Sequence, residues 1–385
     1  MALPIVIIGT GLAGYNLARE FRQLDQDSEL VLISRDGAEF YSKPLLSNAL
    51  SQGLAVEQIM TSSAEHMAEQ LQAKIYSETE VTAINPAERW LEFAGQRLAY
   101  RKLVLALGAE PWIPPLQTEG LIEIHSVNDL PSYARLRQAL PRQQRVLILG
   151  AGLIGCEIAN DLLLAGHQAL LVAPCAWPLP EQLPELVATA LQTELEAAGA
   201  QFYLNTSVQR ISQQDSAYRA ELANGQQLQV DTIITAAGLR PRTTLASQAG
   251  LVTAKGIVVN RQLQTSAPDI YALGDCVELE GLNLQYILPL MAEVRALAKT
   301  LAGQPTAVAY GPMPTVVKTP ALPIVFAGRA PADAQWLVEG NAPHLNLQYR
   351  EQQQLLAYVV TGERQRERLR LNRQLPFVLP ALPEE

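Results

Sequence analysis

Two stretches of this chain repeat one another, and that repeat constrains the fold more than any other feature. Ile5-Val6-Ile7-Ile8 runs into Gly9-Thr10-Gly11-Leu12-Ala13-Gly14, and Val146-Leu147-Ile148-Leu149 runs into Gly150-Ala151-Gly152-Leu153-Ile154-Gly155. Each is a short apolar run, then Gly-x-Gly-x-x-Gly, then a helical pattern. The runs read as strands buried on both faces, as in a parallel sheet. Tyr15–Leu24 and Cys156–Ala165 read as the following helices, with Gly166 placed to end the second. Leu30–Ser34 and Ala169–Ala173 supply the next strands, so a β-α-β unit is completed twice.

The glycines have separate tasks. The first permits a tight turn, the second lets backbone approach a pyrophosphate, and the third lets helix pack on strand. The helix N-terminus then offers free N–H groups and a positive dipole end to phosphate. One such motif is weak, since tight structural turns give the same pattern; two in strand–turn–helix context define two dinucleotide sites. The acid that holds a ribose, about 20 residues on, is missing from both. Ser34 stands there in the first unit and can bond a hydroxyl. Ala173 or Pro174 stands there in the second and cannot. No Arg or Lys lies in Ala173–Trp177 to meet a 2′-phosphate, which favours NADH over NADPH.

Lys102–Gly108 reads as a further strand of the first unit and Thr232–Gly238 as one of the second. Tyr271-Ala272-Leu273-Gly274-Asp275 then returns to the first, so the first unit is interrupted by the second. Pro111, Pro114 and Pro115 mark the entry and Arg240-Pro241 the return; Pro305, Pro312 and Pro314 open a C-terminal segment. There Thr315–Val317, Ile324–Ala327, Leu345–Tyr349 and Leu355–Val360 read as strands and Glu363–Asn372 as a helix.

Composition narrows the function. Hydrophobic residues make up 48% and charged residues 17%, enough for a sizeable core. Lys plus Arg is 29 against 38 Asp plus Glu, a net charge of −9, which disfavours nucleic acid as a partner. Cys156, Cys175 and Cys276 form no Cys-x-x-Cys, and none of His66, His125, His167 and His344 is spaced as a metal ligand, so no metal site is expected. The start lacks a basic region ahead of its apolar run and no stretch is long enough to span a membrane, so a cytoplasmic protein is expected.

These residues resemble the two-dinucleotide-binding-domain flavoprotein reductases, and within them the bacterial rubredoxin–NAD(+) reductases and the related flavorubredoxin reductases. The resemblance rests on both Gly-rich loops, Tyr41-Ser42-Lys43-Pro44-Leu45-Leu46-Ser47, Gly155-Cys156-Glu157, Gly238-Leu239-Arg240-Pro241, Leu273-Gly274-Asp275 and Val317-Lys318-Thr319-Pro320. It implies an α/β chain with two Rossmann-like domains: an FAD-binding domain over 1–110 and 239–310, an NAD-binding domain over 111–238, and a small α+β C-terminal domain over 311–385. It implies FAD on Gly9, Thr10, Gly11, Leu12, Ala13, Gly14, Ser34, Lys43, Pro44, Val81, Gly108, Gly274 and Asp275, with Lys318 approaching from the C-terminal domain. It implies NADH on Gly150, Gly152, Leu153, Ile154, Gly155 and Gly238. Lys43 and Glu157 are the catalytic candidates, Lys43 beside the flavin and Glu157 toward the nicotinamide; a cation there favours the reduced, anionic flavin. Plainer readings stand beside these: a surface lysine before Pro44, a helix-end acid, and a turn-capping Asp275.

Residues 36–52 contain no cysteine, so the thiol chemistry of the disulfide-reducing and peroxidase branches has no nucleophile there. Electrons then pass from NADH through the flavin to a one-electron acceptor. The resemblance implies rubredoxin as that partner. The alternatives are a ferredoxin reductase for a P450 or dioxygenase, a flavorubredoxin reductase in nitric oxide detoxification, or a flavin-dependent interaction protein like apoptosis-inducing factor. A monomer is expected. Arg364, Arg366, Arg368, Arg370 and Arg373 stand against Glu363 and Glu367 near the C-terminus. They are either a solvated helix face or a landing surface for a small acidic carrier.

Overall fold

The computed structural model describes residues 3–141, 143–215 and 217–382. The outermost residues of the expected FAD and C-terminal domains, 1–2 and 383–385, lie outside these. Three parallel-sheet strands and a helix come first: β1 (Ile5–Ile8), α1 (Leu12–Leu24), β2 (Leu30–Ile33) and β3 (Lys74–Tyr76). After β4 (Lys102–Leu105) the chain leaves through the short β5 (Ala109–Pro111). It builds β6 (Arg145–Leu149), α2 (Leu153–Leu164), β7 (Gln168–Val172), β8 (Gln201–Tyr203) and β9 (Thr232–Thr235), and returns through β10 (Leu239–Pro241). β11 (Ile270–Ala272) then completes the first sheet and α3 (Ile287–Leu301) follows.

Both sheets are all parallel. The first runs β11-β4-β1-β2-β3 and the second β8-β7-β6-β9. In each, the glycine-loop strand lies inside the sheet between two neighbours, which is why its residues are apolar on both faces. β5 and β10 pair antiparallel, Ala109 opposite Pro241 and Pro111 opposite Leu239, and Trp112 N–H extends the ribbon by donating to Gly238 O. The inserted part therefore leaves and returns at one place.

The C-terminal part is an antiparallel sheet of β12 (Thr315–Val317), β13 (Ile324–Gly328), β14 (Leu337–Asn341), β15 (His344–Glu351) and β16 (Gln354–Thr361), ordered β12-β13-β16-β15-β14. Its alternation is legible in the core. Val317, Ile324, Phe326, Leu345, Leu347 and Val359 share one cluster with Cys156, Ile158, Ala159 and Leu191 of the inserted part. Val325, Ala327, Tyr358 and Val360 face the other way, against Leu371 and Leu375. Neighbouring residues of a strand point to opposite faces, so one sheet closes two cores.

Three expectations shift. The helices after the glycine loops begin at Leu12 and Leu153, not at Tyr15 and Cys156, because Gly11 and Gly152 are the capping residues and the last motif glycine already lies in the first turn. Glu363–Asn372 divides into a 3-10 turn, Gly362–Glu367, and the five-residue α4, Arg368–Asn372. Strand β14 was not expected from sequence; all five of its residues are exposed, so it carries no alternation to read. Among the described residues no helix is long and apolar enough to cross a membrane.

Candidate functional site

The two glycine loops open on one cavity of about 1610 Å³. Their backbones are near copies. Gly9 has φ +112° and Gly150 φ +116°, values that favour glycine. A Cβ on Gly9 would lie 2.2 Å from Ala106 O, and one on Gly150 would lie 2.5 Å from Ala236 O. A Cβ on Gly14 would lie 1.9 Å from Gly9 O and one on Gly155 2.3 Å from Gly150 O, so these glycines let helix meet strand. Gly14 and Gly155 consequently stand behind the cavity wall rather than on it, unlike the other glycines of the two loops.

Gly11 and Gly152 differ in kind. A Cβ there meets nothing within 4 Å, because each faces the cavity. Neither helix has a side-chain cap or an acid in its first turn. Helix-start N–H groups need partners, and here they point at open space. Both loops therefore have the open backbone cradle that a dinucleotide diphosphate requires.

The rims of the two cradles are unlike. In the first unit Thr10 donates to Ser34 Oγ (2.7 Å), and Ser34 donates to Asp36 Oδ1 (2.5 Å). The hydroxyl of Ser34 is thus engaged on both sides, and the acid at this strand end is Asp36, two residues beyond the expected place. In the second unit Ala173, Pro174 and Cys175 line the corresponding wall. The loop beyond them folds back, Leu179 N–H donating to Ala151 O (3.0 Å), which brings Glu181 and Gln182 to the wall. Sequence spacing missed Asp36 and Glu181 because the first lies past the expected offset and the second is carried there by a fold-back.

Of the remaining expected residues, Leu12, Ala13, Lys43, Pro44, Val81, Gly108, Leu153, Ile154, Glu157, Gly238, Gly274, Asp275 and Lys318 all line the cavity. Lys43 Nζ lies 3.5 Å from Asp275 Oδ2, bringing together residues from the start of the chain and from the returning strand. Glu157 is 1% exposed on α2 and fully engaged. Ser47 donates to its Oε2 (2.7 Å), Lys318 N–H to its Oε1 (2.9 Å), and Lys318 Nζ lies 3.1 Å from Oε2. Lys318 Nζ also donates to Pro44 O (2.5 Å) and Ser47 Oγ (2.6 Å).

The next turn of α2 repeats the grip. Asp161 accepts from Leu50 N–H (3.0 Å) and Ser51 N–H (2.9 Å), and Asn160 accepts from Ala321 N–H (3.2 Å). One helix face thus fixes both the Lys43–Ser51 segment and the start of the C-terminal part. Desolvation raises the Asp161 carboxyl above its ordinary value, opposed by the N–H and hydroxyl groups of Ser51. The positions 157 and 161 are one turn apart, so both acids share a face.

Behind the Gly274–Asp275 turn lies a buried acid. Glu293 of α3 accepts from Gly274 N–H (2.6 Å) and from Tyr310 OH (2.6 Å). Burial pushes its carboxyl up to about 7, against the opposing pull of those two donors. All three thiols are likewise raised by burial, Cys276 to about 12. Cys175 lines the cavity but lies beside Ala173, away from Lys43 in sequence and on the inserted unit. No thiolate is prepared for attack.

These features define a class: an α/β chain with two dinucleotide cradles on a shared cavity and a third, antiparallel part closing over it. The chain belongs to the pyridine nucleotide-disulphide oxidoreductase family, whose model matches residues 3–301. A rubredoxin binding C-terminal domain model matches residues 307–375. The rubredoxin-NAD(+) reductase of Alcanivorax borkumensis is 43% identical over 98% of this chain and 100% of its own length. That of Acinetobacter baylyi is 48% identical over 87% of this chain and 88% of its own. A ferredoxin reductase from Rhodopseudomonas palustris, 23% identical, has the same fold, with a TM-score of 0.88 over 98% of this chain and 96% of that one.

Proposed function

We propose that the chain is an NADH-dependent FAD flavoprotein that reduces rubredoxin, an oxidoreductase of the rubredoxin–NAD(+) reductase kind. The observation that carries the reading is the pair of open glycine cradles on one cavity, closed by a C-terminal part that matches a rubredoxin binding domain. The domain division over 1–110 with 239–310, 111–238 and 311–385 is supported by the β5–β10 ribbon and by the two family models meeting between 301 and 307. We take the enzyme to be a monomer and to be cytoplasmic, the compartment being supported by its three free cysteines, two of them buried.

FAD would sit on Gly9, Thr10, Gly11, Leu12 and Ala13, with Asp36 at the ribose and Val81, Gly108, Lys43 and Asp275 along its length. NADH would sit on Gly150, Gly152, Leu153 and Ile154. Bound FAD supplies the exchange between a two-electron donor and a one-electron acceptor. The protein's share is positional and electrostatic. Glu157 and Lys318 compensate each other's charge while tying the inserted unit, the Lys43–Ser51 segment and the C-terminal part together. Lys43 has a longer contact, to Asp275 alone, and so leaves the larger positive field at the wall. The absence of a prepared thiol leaves electron transfer as the chemistry. Reduction of the purified protein by NADH, followed by delivery to rubredoxin and to ferredoxin side by side, tests the reading. Preferential, rapid reduction of rubredoxin is expected; equal or better reduction of ferredoxin would assign the enzyme to the other carrier.

A further inference from the structure

Arg242 follows β10 and faces the cavity wall of the first unit. Its backbone N–H donates to Gly108 O (3.0 Å) and its Nη1 to Leu107 O (3.2 Å). Those acceptors continue from Ala106, whose N–H donates to Ile8 O (2.8 Å) and whose carbonyl lies against Gly9. Arg242 is therefore fixed to the strand end beside the first glycine loop. Arg35 follows Ser34, the residue bonded to Thr10, and its side chain is exposed. Arg35 lines the same cavity.

The arrangement is electrostatically incomplete. The Nε of Arg242 is buried and has no hydrogen-bond partner. Glu110 Oε2 is 3.7 Å away, beyond hydrogen-bond reach, on a side chain 59% exposed. The guanidinium is desolvated, and Arg35 is the largest charge acting on it, a like one; both effects weigh against its charged form, while Glu110, Asp129 and Asp36 favour it. A guanidinium fixed in the cavity wall by Leu107 and Gly108, with a buried and unpartnered N–H, calls for an anionic acceptor in that cavity. Planar arginine donors match phosphate oxygens in pairs.

Resting on the FAD reading, we propose that Arg242 is a cofactor-binding residue whose guanidinium holds the diphosphate of the dinucleotide on the Gly9–Gly14 loop. The glycine cradle supplies backbone N–H groups and Arg242 supplies the fixed charge. Glu110, exposed and 3.7 Å away, neither fixes the guanidinium nor satisfies its Nε; Leu107 O and Gly108 O fix Arg242.

The test uses full-length holoprotein: wild type, Arg242→Gln, Arg242→Lys and Glu110→Gln. Bound FAD per chain is read from flavin absorbance, and its release on dilution from the rise in free FAD fluorescence, with and without inorganic pyrophosphate. Arg242→Gln should raise the FAD Kd at least about tenfold, Arg242→Lys should recover part of the loss, and Glu110→Gln should stay near wild type. Pyrophosphate should speed FAD release from wild type and act less on Arg242→Gln. If Arg242→Gln does not fold, the lysine variant and the pyrophosphate effect on wild type decide alone. Wild type that carries FAD while Arg242→Gln holds it equally well overturns this inference and leaves the FAD reading intact. Loss of FAD from Glu110→Gln as large as from Arg242→Gln also overturns it, because the ion pair would then be the cause. Wild type that carries no FAD overturns both.

Discussion

The two glycine loops are the same device with different surroundings. Gly9 and Gly150 share a positive φ, Gly14 and Gly155 share the helix-to-strand contact, and Gly11 and Gly152 share the open face. Around the first stand Thr10, Ser34, Asp36, Arg35 and Arg242. Around the second stand Ala151, Ala173 and Pro174 with Glu181 and Gln182 on the fold-back, and among the described lining residues of the inserted unit there is no lysine or arginine. The loop handles what all dinucleotides have in common, a diphosphate, while the rim decides how tightly and which one. A rim rich in fixed partners suits a resident cofactor, and a bare one suits a cosubstrate that must leave at each turnover.

The largest effect comes from breaking one loop at a time. Gly9→Ala places a methyl 2.2 Å from Ala106 O at a φ that alanine resists. Loss of FAD with about 3 kcal/mol or more of stability is expected, read by flavin content and thermal melts. Gly150→Ala is expected to retain FAD and lose NADH-driven flavin reduction. Gly152→Ala, which meets nothing within 4 Å, should melt as wild type and lose NADH affinity only.

The first rim is backed by a buried acid, and pH sharpens that difference. Burial pushes Glu293 up to about 7 from an ordinary value of 4.5. The folded state therefore holds its proton more tightly than the unfolded chain. The resulting stability is complete below about pH 4.5 and is lost as pH rises through about 7. The difference in unfolding free energy between wild type and Glu293→Gln should change by about 3 kcal/mol across that window, checked by denaturant titrations at several pH values. A flat difference would mean that the acid ionises freely.

Glu157 links the two regions. Glu157→Ala leaves Lys318 and Ser47 without their shared partner and should cost about 2 kcal/mol, less than a fully buried pair because Lys318 is partly exposed. FAD should remain bound while the rate of flavin reduction in stopped flow changes. An unchanged rate would make Glu157 a fastener between parts and nothing more.

The bare second rim predicts nucleotide preference. NADH should exceed NADPH in kcat/KM by about tenfold, or about 1.4 kcal/mol, in steady-state comparison; parity would require a cation from outside the inserted unit's wall. The smallest effect is expected at the C-terminal arginines. Glu367 already accepts from Arg364 (2.9 Å) and Arg370 (3.0 Å), so part of that positive charge is compensated locally. Charge reversal at Arg366 and Arg370 should raise the KM for rubredoxin by about threefold at low salt and leave flavin reduction by NADH unchanged.

Local signals in the sequence carried most of the fold. Apart from β3 and β8, the strands of both parallel sheets follow from apolar runs, five of them ended by glycine, and four of the five C-terminal strands from alternation or short apolar runs; the three-residue edge strands β3 and β8 are too short and too exposed to carry such a signal. The ion pairs were not legible, because Glu157 and Lys318 lie 161 residues apart and meet only after the insertion and the C-terminal sheet have both folded. The motifs at 43–47, 157 and 318 could be named separately, but no spacing rule joins them. Arg242 escaped notice for the opposite reason: an arginine after a proline is an ordinary loop residue until Leu107 and Gly108 fix it beside the cradle.

The β5–β10 ribbon has a mechanical consequence. Because Pro111 lies opposite Leu239, the inserted module enters and exits through a single doorway, and the strands of the outer sheet never depend on it for their order. The chain connection is thus confined to one ribbon, while side-chain contacts of α2 and a shared apolar core bind the module to the rest. The doorway is two-ply: paired strands resist sliding and twisting, so the module's entry and exit are held in one register. Asp161 and Asn160, gripping the Lys43–Ser51 segment and the start of the C-terminal part from the module's own helix, are a second attachment far from the doorway in sequence.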